Sequence, residues 1–272
     1  MDIRYGFIGC GNMGGAMAQA AARSVYAETI ALSDALPGQS SRLAESLGAK
    51  SCDNDTIAAS CRYVILAVKP QVLPEVLGGI SPILKNRKDR FIIVSMAAGV
   101  TIASVRAMAG GDYPVIRIMP NTPALVGEGL TLYAPSDNVE EEEMAEFLKI
   151  LSAAGKPDRL NEELIDAASA LSGCGPAFVY MFIEALADGA VECGLPRAKA
   201  LLYAEQTVLG AAKLAIESKQ HPGALKDAVC SPGGSTIAGV HALEDCGFRS
   251  AAMTAVTAAF KKTKELGKSA SD

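Results

Sequence analysis

Gly9-Cys10-Gly11-Asn12-Met13-Gly14 follows a short β-rich run, Ile3–Ile8, and precedes an Ala-rich helical pattern that extends through Ala22. This is the G-x-G-x-x-G spacing in the strand-to-helix context that it requires. Gly9 permits the tight turn, Gly11 lets the backbone approach a pyrophosphate, and Gly14 lets the helix pack closely on the strand. The stretch predicts an α/β fold that binds a dinucleotide.

The next predicted strand supports a dinucleotide site. It covers Thr29–Ser33 and ends at Asp34, which lies 25 residues after Gly9. An acidic residue at about this distance bonds the ribose hydroxyls of a dinucleotide. We therefore expect Asp34 to contact a ribose of the dinucleotide.

Further apolar runs continue the alternation of strands and helices. The runs at Tyr63–Val68 and Phe91–Val94 are typical of parallel strands that are covered on both faces. Val115–Met119 and Gly129–Tyr133 are predicted as further strands. Helical patterns occur at Gly38–Leu47 and from Glu140 to about Ala153. The N-terminal part is therefore predicted to be a Rossmann-type, doubly wound, mostly parallel sheet.

Two strand ends carry candidate cofactor contacts. The run Tyr63–Val68 stops at Lys69-Pro70, and Phe91–Val94 is followed by Ser95-Met96-Ala97-Ala98-Gly99. Open α/β sheets bind ligands at the carboxyl ends of their strands. Small residues there would let a helix begin close to a bound nicotinamide, and they could equally serve packing.

The periodicity of apolar residues changes after Gly155-Lys156-Pro157, and from Glu162 onward it is helical. We place the domain boundary near Asn161, which gives a dinucleotide-binding domain at 1–160 and an all-α substrate-binding and dimerisation domain at 161–272. Helices such as Ala177–Val191 are apolar over much of their circumference, more than a small domain can bury. This favours a homodimer, with a compact monomeric bundle as the alternative.

The turn Cys230-Ser231-Pro232-Gly233-Gly234-Ser235-Thr236 is a candidate substrate site. Proline fixes φ, the glycines allow positive φ, and Ser235 and Thr236 stand where a helix N-cap is expected. Backbone amides and hydroxyls at a helix N-terminus can hold a small carboxylate. An ordinary helix start is the alternative interpretation.

Composition excludes several classes of function. The net charge is −5 without a basic cluster, which argues against nucleic acid as a partner. Seven cysteines without a C-x-x-C pair indicate free thiols in a reducing cytoplasm, and the two histidines, His221 and His241, have no ligand-like neighbours. Charged or polar residues interrupt the apolar runs before 18 positions, so we expect no membrane span, and the N-terminus lacks a secretory pattern.

The chemistry is limited by what the helical part lacks. Between Asn161 and Pro196 there is no Lys or Arg, and no His precedes His221. Ketone reduction normally needs a strong proton relay near the reacting carbon. A protonated imine is already an electrophile, so a neutral hydroxyl that orients its nitrogen would suffice.

The chain resembles the pyrroline-5-carboxylate reductase family over essentially its whole length. The motifs that carry the resemblance are Phe7-Ile8-Gly9-Cys10-Gly11-Asn12-Met13, Ala67-Val68-Lys69-Pro70, Ala97-Ala98-Gly99-Val100, Arg117-Ile118-Met119-Pro120-Asn121-Thr122-Pro123, Leu171-Ser172-Gly173-Cys174-Gly175-Pro176-Ala177 and Asp227-Ala228-Val229-Cys230-Ser231-Pro232-Gly233-Gly234-Ser235-Thr236. The resemblance implies hydride transfer from NAD(P)H to the C=N carbon of 1-pyrroline-5-carboxylate, which gives L-proline. It also implies an intertwined dimer, in some members assembled into a decamer of five dimers.

The resemblance also implies roles for individual residues. Thr236 would hydrogen-bond the ring nitrogen, and Glu162 matches a family acid near the substrate. The carboxylate would be held by Ser231, Gly233, Gly234 and Ser235. The cofactor would be lined by Ile8, Gly9, Cys10, Gly11, Asn12, Met13, Ser33, Asp34, Asn54, Ala67, Val68, Lys69, Pro70, Ala97 and Ala98.

Asp34 departs from the pattern of many members, which have a small hydroxyl or basic residue that receives the 2′-phosphate of NADPH. A carboxylate repels that phosphate and bonds free ribose hydroxyls. We therefore expect NADH to be used at least as well as NADPH.

Two other functions stay open at this point. A hydroxyacid dehydrogenase of related architecture would require a Lys on a helix near the substrate, and this chain has none between Asn161 and Pro196. A nucleotide-binding regulator without turnover would not need the donor turn at Ser231–Thr236.

Overall fold

The computed structural model describes residues 3–269 and divides the chain into two compact units. The first unit contains the chain up to Cys174 together with the segment from Ala258 onward. The second unit is Gly175–Thr257.

The first unit is built on an eight-stranded sheet. Its strands are β1 (Tyr5–Ile8), β2 (Ile30–Ser33), β3 (Lys50–Ser51), β4 (Tyr63–Leu66), β5 (Ile92–Ser95), β6 (Val115–Met119), β7 (Gly129–Pro135) and β8 (Gly155–Arg159). The order across the sheet is β3-β2-β1-β4-β5-β6-β7-β8, and every neighbouring pair is parallel except β6 with β7. The order 3-2-1-4-5-6 is that of dinucleotide-binding Rossmann folds.

Helices cover both faces of this sheet. They are α1 (Asn12–Ser24), α2 (Gln39–Leu47), α3 (Asn54–Ser60), α4 (Leu73–Asn86), α5 (Ile102–Ala109), α6 (Glu141–Leu151) and α7 (Glu162–Ser172). One buried cluster joins β-strand residues such as Phe7 to Met17 of α1 and Phe147 of α6. A second cluster joins the opposite strand faces to Leu77 of α4 and Val105 of α5. The predicted doubly wound, mostly parallel sheet is confirmed.

Local signals in the sequence explain where several helices begin. The Asp53 side chain accepts from the Thr56 amide at 2.7 Å at the start of α3, and Thr101 caps α5 in the same way. Glu140 and Glu143 form a capping box at the start of α6. The acidic run that includes these residues therefore initiates a helix, as the sequence predicted.

The segment around residue 160 differs from the sequence prediction in two details. Gly155–Arg159, to which the sequence analysis assigns no element, is the edge strand β8, paired with β7 from Gly129 to Tyr133. Helix α7 belongs to the first compact unit. The compact units divide at Cys174, and the domain boundary at residues 160 and 161 stays a prediction.

The second unit is entirely helical. Its helices are α8 (Gly175–Glu192), α9 (Arg197–Ser218), α10 (Pro222–Ala228) and α11 (Ser235–Asp245), and the last helix, α12 (Phe248–Ser269), contributes residues to both units. A small alanine cluster of α8 and α9 forms its core. Large apolar side chains remain exposed, among them Tyr180, Met181, Leu209 and Ile216.

One prediction about this region needs correction. Among the described residues, the stretch Glu162–Glu192 is long and apolar enough to cross a membrane by length and composition. The sequence prediction counted every polar interruption, whereas an 18-residue window of this stretch contains at most two charged residues. One such helix is weak evidence for a membrane, because an apolar helix of a soluble protein passes the same test.

Candidate active site

The glycine turn after β1 is shaped to receive a phosphate. Gly9 has φ +103°, and a Cβ there would lie 2.6 Å from the Ala67 carbonyl oxygen. A Cβ on Gly14 would lie 2.0 Å from the Gly9 carbonyl oxygen, whereas a Cβ on Gly11 would meet nothing within 4 Å. Gly9 and Gly14 therefore allow the close packing of the turn, and the space in front of Gly11 is open.

The N-terminus of α1 supplies donors to that open space. Gly11 is the N-cap and no side chain caps the helix, whose first intrahelical bond runs from Gly15 N to Gly11 O at 2.7 Å. The first-turn amides of Asn12 and Met13 lack an intrahelical acceptor. Such amides at a helix N-terminus bind phosphate groups, so this turn fits the pyrophosphate of a dinucleotide.

Asp34 lies at the carboxyl end of β2, beside the glycine turn. Its carboxylate accepts from the Cys10 amide at 2.6 Å and from the Leu36 amide at 2.8 Å. Burial, and then the charge of Asp34, raise the pKa of the Cys10 thiol to about 12. The thiol is therefore neutral, and it donates weakly to the Ser33 carbonyl.

Ser33 and Asn54 form a second polar pair at this edge. The Ser33 hydroxyl donates to Asn54 Oδ1 at 2.6 Å. Gln39 of α2, which sequence reasoning missed, donates to the Cys10 carbonyl at 2.7 Å. These side chains fix the two strand ends where the adenosine ribose is expected.

The remaining predicted cofactor residues lie at the ends of the two next strands in the sheet. Ala67, Val68, Lys69 and Pro70 follow β4, and Lys69 is exposed. Ala97 and Ala98 follow β5, with Ala97 buried. The structure thus brings the predicted cofactor residues to the carboxyl edge of β1, β2, β4 and β5, on either side of the point where strand order reverses. Asn54 joins them from the start of α3 through its hydrogen bond with Ser33.

The predicted substrate residues are divided between the two units. Glu162 is the first residue of α7, and its carboxylate accepts from the Ile102 amide at 2.6 Å and contacts Arg117 Nη1 at 3.4 Å. Arg117 is a buried residue of β6 that also pairs with Asp166. An arginine within the apolar run of β6 was a sequence signal for such a buried ion pair, and it was assigned no role.

The donor turn lies in the second unit. The Gly234 amide donates to the Ser231 carbonyl at 3.0 Å, and Gly233 has φ +69°. Proline followed by a glycine at positive φ is the signature of a type II turn. A Cβ on Gly234 would lie 2.4 Å from Ser231 Oγ, so Gly234 leaves room for that hydroxyl.

The start of α11 corrects one sequence expectation. Gly234 is the N-cap, and Ser235 and Thr236 are the first two helical residues rather than caps. The first intrahelical bond runs from Ala238 N to Gly234 O. The amides of residues 235–237 therefore lack intrahelical acceptors, and the hydroxyls of Ser235 and Thr236 are exposed.

Two family descriptions match the chain. Residues 4–99 match the NADP oxidoreductase family dependent on coenzyme F420, and residues 162–266 match the pyrroline-5-carboxylate reductase dimerisation family. The first match covers β1 to β5 and the glycine turn. The second covers α7 to most of α12, and it supports self-association.

Curated relatives are similar over nearly the whole chain. The pyrroline-5-carboxylate reductase of Escherichia coli (strain K12) is 41% identical over 280 residues, covering 99% of this chain and 100% of that protein. The enzyme of Methanosarcina acetivorans is 43% identical, covering 97% of this chain and 98% of that protein. The enzyme of Pisum sativum is also 43% identical, covering 96% of this chain and 95% of that protein. Similarity of this extent decides against a hydroxyacid dehydrogenase.

Solved structures agree with this relationship. The pyrroline carboxylate reductase of Plasmodium falciparum with NADP bound superposes with a TM-score of 0.88 at 33% identity, covering 97% of this chain and 98% of that chain. A pyrroline-5-carboxylate reductase from Coxiella burnetii gives a TM-score of 0.86 at 32% identity, covering 98% and 99%. This chain belongs to the pyrroline-5-carboxylate reductase family.

Proposed function

We propose that this protein reduces the C=N bond of 1-pyrroline-5-carboxylate to give L-proline. A bound reduced nicotinamide would supply the hydride, and the protein supplies binding and orientation. The observation that carries the proposal is the exposed donor turn at Ser231–Thr236, whose open amides and hydroxyls suit an imine acid. It occurs in a chain that belongs to the pyrroline-5-carboxylate reductase family.

The carboxylate of the substrate is assigned to the turn before α11. Its donors would be the hydroxyl of Ser231, the amide of Gly233, and the amide and hydroxyl of Ser235. Gly234 would contribute the shape of the turn, because its amide already donates to the Ser231 carbonyl at 3.0 Å. The positive end of the α11 dipole adds a favourable interaction with an anion. No charged side chain is required, which agrees with an acid that must also be released as product.

Thr236 is assigned to the ring nitrogen. Its hydroxyl can donate or accept a hydrogen bond, so it can orient the imine and remain bonded to the amine that forms. The nitrogen of the imine is protonated before reduction, so Thr236 does not have to transfer a proton. Its role is to hold the reacting carbon in one orientation.

Asp34 is assigned to the adenosine ribose. Its carboxylate is half-exposed and already accepts from the Cys10 amide at 2.6 Å, which places a negative charge beside the pyrophosphate turn. A 2′-phosphate near this charge would be repelled. We infer that NADH is used at least as well as NADPH.

The cysteines bear on the compartment in which the protein works. Free thiols are consistent with a reducing cytoplasm, since all seven cysteines are unpaired.

A homodimer formed by residues 161–272 is the proposed functional unit. A decamer of five dimers is the larger assembly to be tested by light scattering.

The experiment that tests the function measures oxidation of NADH and of NADPH with racemic 1-pyrroline-5-carboxylate. We expect rapid oxidation with proline as the product, at least as fast with NADH. Oxidation of neither nucleotide would contradict the proposal. Binding of a nucleotide without turnover would then favour the regulator considered above.

A further inference from the structure

The segment from Ala97 to Ile102 joins β5 to α5 and is held by contacts from two helices. One contact comes from the C-terminal end of α12, and the other comes from the first residue of α7. All of these residues belong to the first compact unit. The segment contains Ala97 and Ala98, which the sequence predicts to line the cofactor at a strand end where a helix could begin close to a bound nicotinamide.

The contact with α12 is between backbones. A Cβ on Gly99 would lie 2.5 Å from the Thr263 carbonyl oxygen and 2.7 Å from the Gly267 nitrogen. A Cβ on Gly267 would lie 2.1 Å from the Gly99 carbonyl oxygen. Real Cβ atoms essentially never come this close to backbone atoms, so neither position accepts a side chain without a shift of the helix or the segment.

The contact with α7 fixes the other end of the segment. Glu162 accepts from the amide of Ile102, the first residue of α5, at 2.6 Å. Arg117 approaches the same carboxylate oxygen at 3.4 Å. The carboxylate thus holds both the beginning of α5 and the buried arginine of β6.

An ion-pair network joins the two helices that make these contacts. Asp166 of α7 pairs with Arg117, and its other oxygen lies 3.2 Å from Lys264 Nζ of α12. Arg117 is 2% exposed and Asp166 is nearly as buried. The buried Asp166 therefore pairs with two cations, Arg117 of β6 and Lys264 of α12. Since Lys264 lies on α12, its ion pair connects the end of that helix to the network.

We propose that Gly267 and Lys264 are positioning residues for hydride transfer. They hold α12 against Gly99 and thereby fix the Ala97–Ile102 segment at the nicotinamide. Neither residue contacts the reacting atoms, and both act through the segment. The proposal rests on the proposed function, because only a chain that transfers hydride from a nicotinamide needs this segment held in place for that step.

Helix stability alone gives the opposite expectation for Gly267. Alanine is a better helix former than glycine, so Gly267→Ala would be neutral or stabilising if the contact with Gly99 did not matter. Gly79 in α4 is a matched control, since a Cβ there would meet nothing within 4 Å. Lys262→Met is the control for Lys264→Met, because Lys262 forms a surface pair with Glu265 at 2.9 Å on the same helix.

The test compares steady-state kinetics and amide hydrogen exchange of the full-length protein and its variants. We expect Gly267→Ala to lower kcat by roughly tenfold to a hundredfold, the range expected for a misplacement of about 1 Å, with little change in the KM for the nucleotide. Lys264→Met should lower kcat less, and Lys264→Arg should restore it. The deuterium isotope effect from nucleotide labelled at the transferred position should rise, because the hydride step becomes slower.

Hydrogen exchange provides a readout that does not depend on activity. In the protein without cofactor, amides of residues 97–102 should exchange faster in Gly267→Ala and Lys264→Met than in the wild type and in both controls. Unchanged kcat and exchange in both variants would overturn the positioning role while leaving the proposed function in place. Absence of imine reduction by the wild-type protein would instead overturn the proposed function, and the positioning proposal with it. If Gly267→Ala does not fold, Lys264→Met and its rescue decide the outcome.

Discussion

At the scale of the residue, the proposed substrate site offers hydroxyls and amides rather than a strong acid. Residues 231–236 contain two serines and a threonine, and none of their side chains titrates near neutral pH. A protonated imine needs no further acid for its reduction. The residue types of the turn therefore agree with an imine substrate and would not suit a ketone.

The first prediction concerns the hydroxyl of Thr236. Thr236→Ala should lower kcat by about tenfold to a hundredfold, the typical loss when an orienting group is removed, because the imine loses its orienting hydrogen bond. The KM for the nucleotide should change little, since the hydroxyl is assigned to the substrate. Steady-state kinetics with each substrate varied in turn would measure both effects.

Thr236→Ser is the matched control for this change. It keeps the hydroxyl and removes a methyl group, so it should retain most of the turnover. Full activity in Thr236→Ala would remove the hydroxyl from the mechanism.

The second prediction concerns Asp34. Asp34→Ser removes the negative charge and leaves a small hydroxyl residue, so the ratio of kcat/KM for NADPH to that for NADH should rise about tenfold, or roughly 1.4 kcal/mol. The comparison of both nucleotides on wild-type and variant protein measures this ratio. Asp53→Ser is a control, because Asp53 caps α3 by accepting from Thr56 and should not affect the ratio. A wild-type preference for NADPH would contradict the role assigned to Asp34.

Sequence reasoning found residues whose role depends on the backbone and missed those that depend on distant partners. Gly9 was assigned to the tight turn and Gly14 to close packing. The positive φ of Gly9 and the crowded Cβ position of Gly14 agree with these roles, because the G-x-G-x-x-G pattern encodes a local turn. The partners of Arg117 lie 45 and 49 residues away, at Glu162 and Asp166. No local spacing encodes such a pair, so only the topology of the sheet brings it together.

At the scale of the element, strands with continuous apolar runs were predicted correctly and the edge strands were not. Val115–Met119 was found within the exact bounds of β6. β8 has the sequence Gly155-Lys156-Pro157-Asp158-Arg159, which is polar and contains a proline. Charges and proline are typical of protected edge strands, so the features that suit β8 to an edge also conceal it from pattern recognition.

Helix α6 is attached to the sheet by a buried carboxylate. Glu143 is completely buried and accepts from Arg90 Nε at 2.6 Å and from the Glu140 amide at 3.0 Å. Burial alone would raise the pKa of Glu143, but the hydrogen bonds from Arg90 and Glu140 and the charges of Arg90 and Arg62 outweigh it. The pKa is therefore lowered.

The third prediction follows from the sign of this shift. A carboxylate whose pKa is lowered on folding stabilises the protein above its ordinary pKa of about 4.3, and this contribution is lost as the pH falls through the folded-state value. We expect the Tm to fall as the pH is lowered below about 5. Glu143→Gln should lower stability at neutral pH by about 2 kcal/mol and make the acid dependence of the Tm shallower.

Glu142→Gln is the control for the acid dependence, because Glu142 is an exposed residue of the same helix turn. Its thermal unfolding curves should match those of the wild type at every pH. If the Tm of Glu143→Gln fell with decreasing pH as steeply as that of the wild type, other carboxylates would be responsible for the loss of stability in acid.

At the scale of the whole molecule, the chain combines an α/β unit that has a well-buried core with a helical unit that leaves much apolar surface exposed. The first unit buries two extensive clusters, one on each face of its sheet. The second unit buries a cluster of three alanines. A helical unit with so small a core requires further burial of apolar surface to be stable. The match of residues 162–266 to a dimerisation family supports self-association, which is one way to bury that surface.

The last prediction tests this self-association. The wild-type protein should sediment as a dimer or a multiple of a dimer, and Met181→Glu should weaken association by at least about tenfold, because a charge would be buried without a partner. Met181 is 70% exposed in the single chain and lies on the apolar helix α8. Tyr26→Glu is the control, since Tyr26 is 75% exposed in the first unit, outside the dimerisation match. Sedimentation velocity over a range of concentrations measures both variants, and a monomeric wild type would mean that the exposed faces of the second unit are covered in some other way.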